Sequence, residues 1–82
     1  MYKLNEDIIV EDVEEGKCLI NEVDEKIILL KKVETKVFEY ILKYPVEEAK
    51  KLIMEEYEGI NISEDIEIFI TELVDRKIFV WV

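Results

Sequence analysis

The side chains able to do chemistry are few in this 82-residue chain, and their spacing does not assemble a reacting site. Histidine is absent, which removes the usual general base near neutral pH and the commonest metal ligand. The single cysteine, Cys18, cannot form an internal disulfide, and one thiol without histidine partners cannot build a zinc site. Set within an apolar strand, it reads as a small buried hydrophobe. Adjacent carboxylates such as Glu55 and Glu56 point in different directions on a helix, so they read as a solvated face rather than an acid–base pair. The stretch Asn21 to Asp24 has some character of a calcium loop, but the glycine at loop position six and the glutamate at twelve are missing. Asn61-Ile62-Ser63 matches a glycosylation sequon; in an intracellular chain it reads as the start of a helix. The balance of 11 basic and 21 acidic residues, a net charge of −10, opposes binding to a phosphate backbone. These observations predict a protein that is not an enzyme and that needs no cofactor and no metal.

The elements that must carry any function are legible from periodicity. Length and a 50% hydrophobic content predict one folded domain over residues 1–82, with a core too small for a large enclosed active site. The start, Met1 to Asp7, has no apolar signal-peptide region, and no apolar run approaches the roughly 20 residues that span a bilayer. With one cysteine, the expected location is cytoplasmic, away from membranes. Ile8-Ile9-Val10 with Val13, then Lys17 to Asn21, then Lys26 to Lys31 are short apolar runs between polar turns. They predict strands at about 7–13, 17–21 and 26–31, paired as an antiparallel meander. After Leu30 the period changes. Val33, Val37, Tyr40, Ile41 and Tyr44 lie on one helical face, and Pro45 closes that helix and opens the next. Val46, Ala49, Leu52, Ile53 and Tyr57 define a second helix, with Glu47 and Glu48 in its first turn and Gly59 as its left-handed cap. Ser63 as N-cap, then Ile66, Phe69, Ile70, Leu73 and Val74, define a third. The predicted helices are thus about 33–44, 46–58 and 64–76. The fold class is α+β: a three-stranded antiparallel sheet followed by three helices, like a winged helix-turn-helix.

At the level of residues, the chain resembles the PQQ-synthesis protein D family. The stretches that carry the resemblance are Cys18-Leu19-Ile20-Asn21, Lys26 to Leu30 and Val37 to Leu42, with Val46-Glu47-Glu48-Ala49, Glu56-Tyr57 and Phe69 to Val74 further on. It spans roughly residues 4 to 79, as apolar patterns rather than invariant chemistry. That family is the RiPP recognition element, where RiPPs are ribosomally made, post-translationally modified peptides. The resemblance implies a stand-alone adaptor that binds a precursor's leader peptide and presents it to a modifying enzyme: a leader protease, a cyclase or a radical SAM enzyme. It implies that the leader adds as a strand to the third strand and lies against the third helix. Carried over, the edge is Lys26, Ile27, Ile28, Leu29 and Leu30, and the helix wall includes Asp65, Ile68, Phe69 and Glu72. Brevity and the early first strand incline the resemblance to the lasso-peptide type. Two positions depart from the family pattern. Lys31 and Val33 stand where it usually has asparagine and threonine, which predicts a late or frayed start to the first helix. Lys77 replaces the glycine usual after the third helix.

Three features each carry two readings. Ile27 to Leu30 make both faces of the third strand apolar: either both are packed, or the strand is an edge that accepts a peptide. Ile68 lies about 160–180° from the stripe of its helix, as scattered surface apolarity or as a partner contact. Ile78 to Val82 is either a short strand or tail covering the core, or an anchor for a partner. Charge separates the functional alternatives. A winged-helix DNA-binding regulator needs basic or amide side chains on its recognition helix, whereas residues 64–75 contain Glu64, Asp65, Glu67, Glu72 and Asp75 and no cation. A small assembly subunit of another complex is the remaining alternative. The acidic excess falls on the sheet and the third helix, so a leader is expected to carry basic residues around apolar anchors.

Overall fold

A computed structural model describes residues 1–57 and 62–82. Its elements run β1 (Tyr2–Leu4), β2 (Ile8–Val13), β3 (Gly16–Asn21), β4 (Lys26–Lys31), α1 (Lys32–Lys43), α2 (Val46–Glu56), α3 (Ser63–Asp75) and β5 (Phe79–Trp81). The α+β class holds: β2, β3 and β4 form an antiparallel sheet in that order, and the three helices follow it. The register aligns Val10, Leu19 and Ile28, so Ile8, Leu19, Ile28 and Leu30 share the inner face that packs on the helices. Val37, Phe38 and Ile41 of α1, Ala49 and Ile53 of α2, and Ile66, Ile70 and Leu73 of α3 complete that core. Burying such aliphatic side chains stabilises the fold by about 1.5–3 kcal/mol each.

Several expectations are revised. A second, two-stranded sheet pairs β1 with β5, Tyr2 opposite Trp81, an element that the sequence reading lacked at the N-terminus. The apolar tail is the second of these strands. Ile78 and Phe79 belong to the core, Phe79 stacks between Tyr2 and Phe38, and Trp81 and Val82 are exposed. Val33 is exposed, and Phe38 takes the core position on α1 instead. Val74 is exposed as well. Cys18 is half-buried on the outer sheet face, in register with Leu29, rather than in the core. Ser63 is the first helical residue of α3, with Ile62 at the cap position. The expectations placed on Gly59, on Asn61 and on residue 58 as the end of the second helix fall outside the described residues.

Lys31 does not delay α1. The helix starts at Lys32 because Glu34 folds back and accepts a hydrogen bond from the Lys31 backbone N–H at 3.1 Å. That is the return half of a capping box, which needs no acceptor on Lys31. Thr35 adds a hydroxyl hydrogen bond to the Leu30 carbonyl at 3.3 Å.

Lys77 does the work of the missing glycine. Its φ of 60° is left-handed, its N–H donates to the Val74 carbonyl at 3.0 Å, and the Ile78 N–H reaches the Leu73 carbonyl at 2.9 Å. This is a Schellman ending, held by burial of Ile78. Asn5 supports it, donating from Nδ2 to the Lys77 carbonyl at 2.7 Å. A Cβ in this conformation is strained, so Lys77→Gly should stabilise the protein by about 0.5–1 kcal/mol net. The check is thermal unfolding, with Tm expected to rise by roughly 4 °C; a fall in Tm would mean that the Lys77 side chain contributes more than its backbone strain costs.

Candidate functional site

β4 is the end strand of its sheet. It pairs with β3 on one side, and no strand among the described residues pairs with the other. Its side chains alternate as the pleat requires. Ile28 is half-buried and Leu30 buried against the helices, whereas Ile27 is 68% exposed and Leu29 47%. The outer face is therefore not packed under a loop. An end strand with apolar side chains and unpaired backbone groups is a template for another strand, and its guards are limited to exposed Lys26 and Lys31 at its two ends.

The tip between β3 and β4 is built by Asn21. Its buried side chain accepts hydrogen bonds from the Val23 and Asp24 amides at 3.1 and 3.2 Å, and its Nδ2 donates to Asp24 at 3.3 Å. Glu25 then turns the chain into β4 with φ 55°. On the opposite wall, α3 is held to α2 by the hydrogen-bonded ion pair of Lys50 with Glu67. That bond, ahead of the weaker attraction of Glu47, raises the Lys50 ammonium above the usual lysine range against the opposing effect of burial.

Two hollows open along α3, one at each end. One, about 460 Å³, lies where the N-terminal half of β4 meets the end of α3. Leu19, Asn21, Asp24, Lys26, Ile27 and Ile28 line one side, and Asp75, Arg76, Lys77 and Ile78 the other. The second, about 220 Å³, lies where the start of α1 meets the first half of α3, and is lined by Val33, Glu34, Val37, Ile62, Asp65, Ile66 and Phe69. The two occupy opposite ends of α3 and share no lining residue.

Of the residues expected in the site, Lys26, Ile27 and Ile28 line the first hollow and Asp65 and Phe69 the second. Leu29, Leu30, Ile68 and Glu72 line neither. At about 100° per residue, Asp65, Phe69, Glu72 and Arg76 lie within a strip about 60° wide along α3, with Ile68 at its outer rim, 51% exposed. The reading from sequence did not include Asn21, Asp24, Asp75, Arg76 and Lys77, which come from turns and a helix end. Nor did it include Val33, Val37 and Ile62, whose apolar character was assigned to packing or passed over.

On this α+β frame the open side of β4 leaves backbone groups free to pair with another extended chain. Among the described residues no group of three or more His, Cys, Asp or Glu side chains is placed to hold a metal ion, and no helix is long and apolar enough to cross a membrane. No protein-family model matches the sequence, and no curated protein matches it. Among solved structures, the chain is similar to one described as lasso peptide synthetase B1 complexed with the leader peptide. The TM-score is 0.84 and the identity 17%, over 98% of this chain and 98% of that one. At that identity the likeness is one of fold.

Proposed function

We propose that this chain is a non-catalytic adaptor that binds the leader segment of a ribosomally made precursor peptide and presents it to a modifying enzyme. The observation that carries the reading is the open, apolar edge of β4, with one hollow where β4 meets the end of α3 and another where α1 meets the start of α3. The likeness in fold to a protein solved with a leader peptide supports it. In this reading the leader adds as a fourth strand to the Lys26, Ile27, Ile28, Leu29 and Leu30 edge. Asp65, Phe69 and Glu72 form the facing wall, with Ile68 at its rim. Main-chain hydrogen bonds supply affinity, and the hollows supply selectivity through alternate side chains. The partner enzyme would be a leader protease, cyclase or radical enzyme, and the adaptor would act in the cytoplasm.

The leader to use is the N-terminal segment of a short precursor gene beside this protein's own gene. Titrated as a synthetic peptide into labelled protein, it should shift the backbone amides of β4 and α3 and leave β1 and β5 in place. A leader that binds without moving β4 would refute strand addition. The same sample challenged with genomic DNA at low salt should show no shift, because α3 presents Glu64, Asp65, Glu67, Glu72 and Asp75 to any phosphate.

A further inference from the structure

The charges at the two ends of the cleft are opposite, and on the strand-addition reading this sets which peptide fits. At the larger hollow, Lys26, Arg76 and Lys77 meet Asp24 and Asp75. The ion pairs among the described residues use Lys17, Lys36 and Lys50, so these three cations have no partner in them. Asp24, by contrast, already takes a hydrogen bond from Asn21. The lining thus carries three cations against two carboxylates, a net charge of +1 in a chain of net charge −10. The smaller hollow is apolar at its base and carries Glu34 and Asp65 with no cation.

Spacing follows from α3. The smaller hollow is lined by Asp65, Ile66 and Phe69, and the larger by Asp75 and Arg76. Their midpoints are about nine residues apart, or roughly 13 Å at about 1.5 Å per helical residue. An extended chain covers that distance in about four residues of about 3.3 Å, and residues four apart on a strand share one face. We propose that the cleft selects an extended peptide with an apolar anchor seated at Phe69 and an acidic side chain four residues away, seated among Lys26, Arg76 and Lys77. A basic residue beside the anchor faces Glu34 and Asp65, so the peptide is a charge dipole opposed to that of the cleft.

Three nine-residue strand-forming peptides of threonine and valine, blocked at both ends, test this. Each has leucine at the centre and glutamate, glutamine or lysine at both ends, so that either chain direction places the variable residue at the cationic hollow. Dissociation constants are read from β4 amide shifts at low ionic strength. The glutamate peptide should bind about ten-fold tighter than the lysine peptide, the scale of one or two exposed charge pairs, and the Lys26→Glu/Arg76→Glu double variant should reverse the order. Equal affinities, or a preference for lysine in the unaltered protein, overturn the selection while leaving strand addition standing. If none of the three peptides shifts β4 while the leader does, the selection fails and strand addition stands; if the leader too binds without shifting β4, both readings fail.

Discussion

Gly16→Ala should cost about half of the protein's stability. Gly16 opens β3 directly after the Glu14-Glu15 turn, at φ 151°, where L side chains are rarely found. A Cβ built there would stand 2.1 Å from the Leu30 carbonyl oxygen and 2.5 Å from the Thr35 hydroxyl. The nearest obstacle is backbone, in the strand that pairs with β3, so it cannot rotate away. Strain of about 1–3 kcal/mol from the backbone conformation adds to about 1–3 kcal/mol from forced overpacking. A domain of this size has roughly 4–12 kcal/mol to lose, at about 0.05–0.15 kcal/mol per residue. A fall in Tm of about 15 °C or more is expected, at about 4–8 °C per kcal/mol. The displaced carbonyl also belongs to the end of β4 and receives the Thr35 hydroxyl, so the change should disturb the start of α1 as well. A variant with unaltered Tm would show that Gly16 and Leu30 are further apart than described.

Phe69→Asp should abolish leader binding. Phe69 is half-buried and lines the apolar hollow together with Val37 and Ile66. A bound anchor would lose apolar contact worth about 1.5–3 kcal/mol, and a second carboxylate would stand one helical turn from Asp65. Affinity is expected to fall by about 100-fold or more, measured by calorimetric titration of the leader. Because Phe69 is not fully buried, stability should fall much less, which circular dichroism would verify. Phe69→Leu keeps the apolar base and should stay within about five-fold of the unaltered protein. Undiminished binding by Phe69→Asp would move the anchor elsewhere on the surface.

Much of this fold is written in local periodicity, because β2 to β4 and the three helices each bury a face of their own. What escaped lies in contacts between distant segments. Tyr2-Lys3-Leu4 is a three-residue strand whose partner, Phe79 to Trp81, is at the far end of the chain, so no local pattern marks it. Phe38 entered the core in place of Val33 because α1 packs through the narrow face of Val37, Phe38 and Ile41. Lys77 looked wrong for its turn, yet Ile78 burial and two hydrogen bonds hold it there. The site divides in the same way. Ile27 to Leu30 stood out because both faces of one strand were apolar, whereas Phe69 and Asp65 were implied by the family resemblance, since helical spacing alone assigned Phe69 to the core and Asp65 to the helix start. The cationic hollow did not stand out: Lys26, Asp24, Arg76 and Lys77 become neighbours only when the β3–β4 tip meets the end of α3. Whole-segment charge counts average over that meeting and return a uniform acidity.

The central claim is that a peptide becomes the fourth strand of the β2-β3-β4 sheet, and amide hydrogen exchange tests it most directly. Along Lys26 to Leu30, alternate amides point toward β3 and toward the open edge. With the leader bound at saturation, the edge-pointing amides of β4 should exchange at least ten-fold more slowly, and those already bonded to β3 should change far less. Slowing confined to α3 or to the β1–β5 pair, with the alternate β4 amides exchanging as in the free protein, would contradict strand addition.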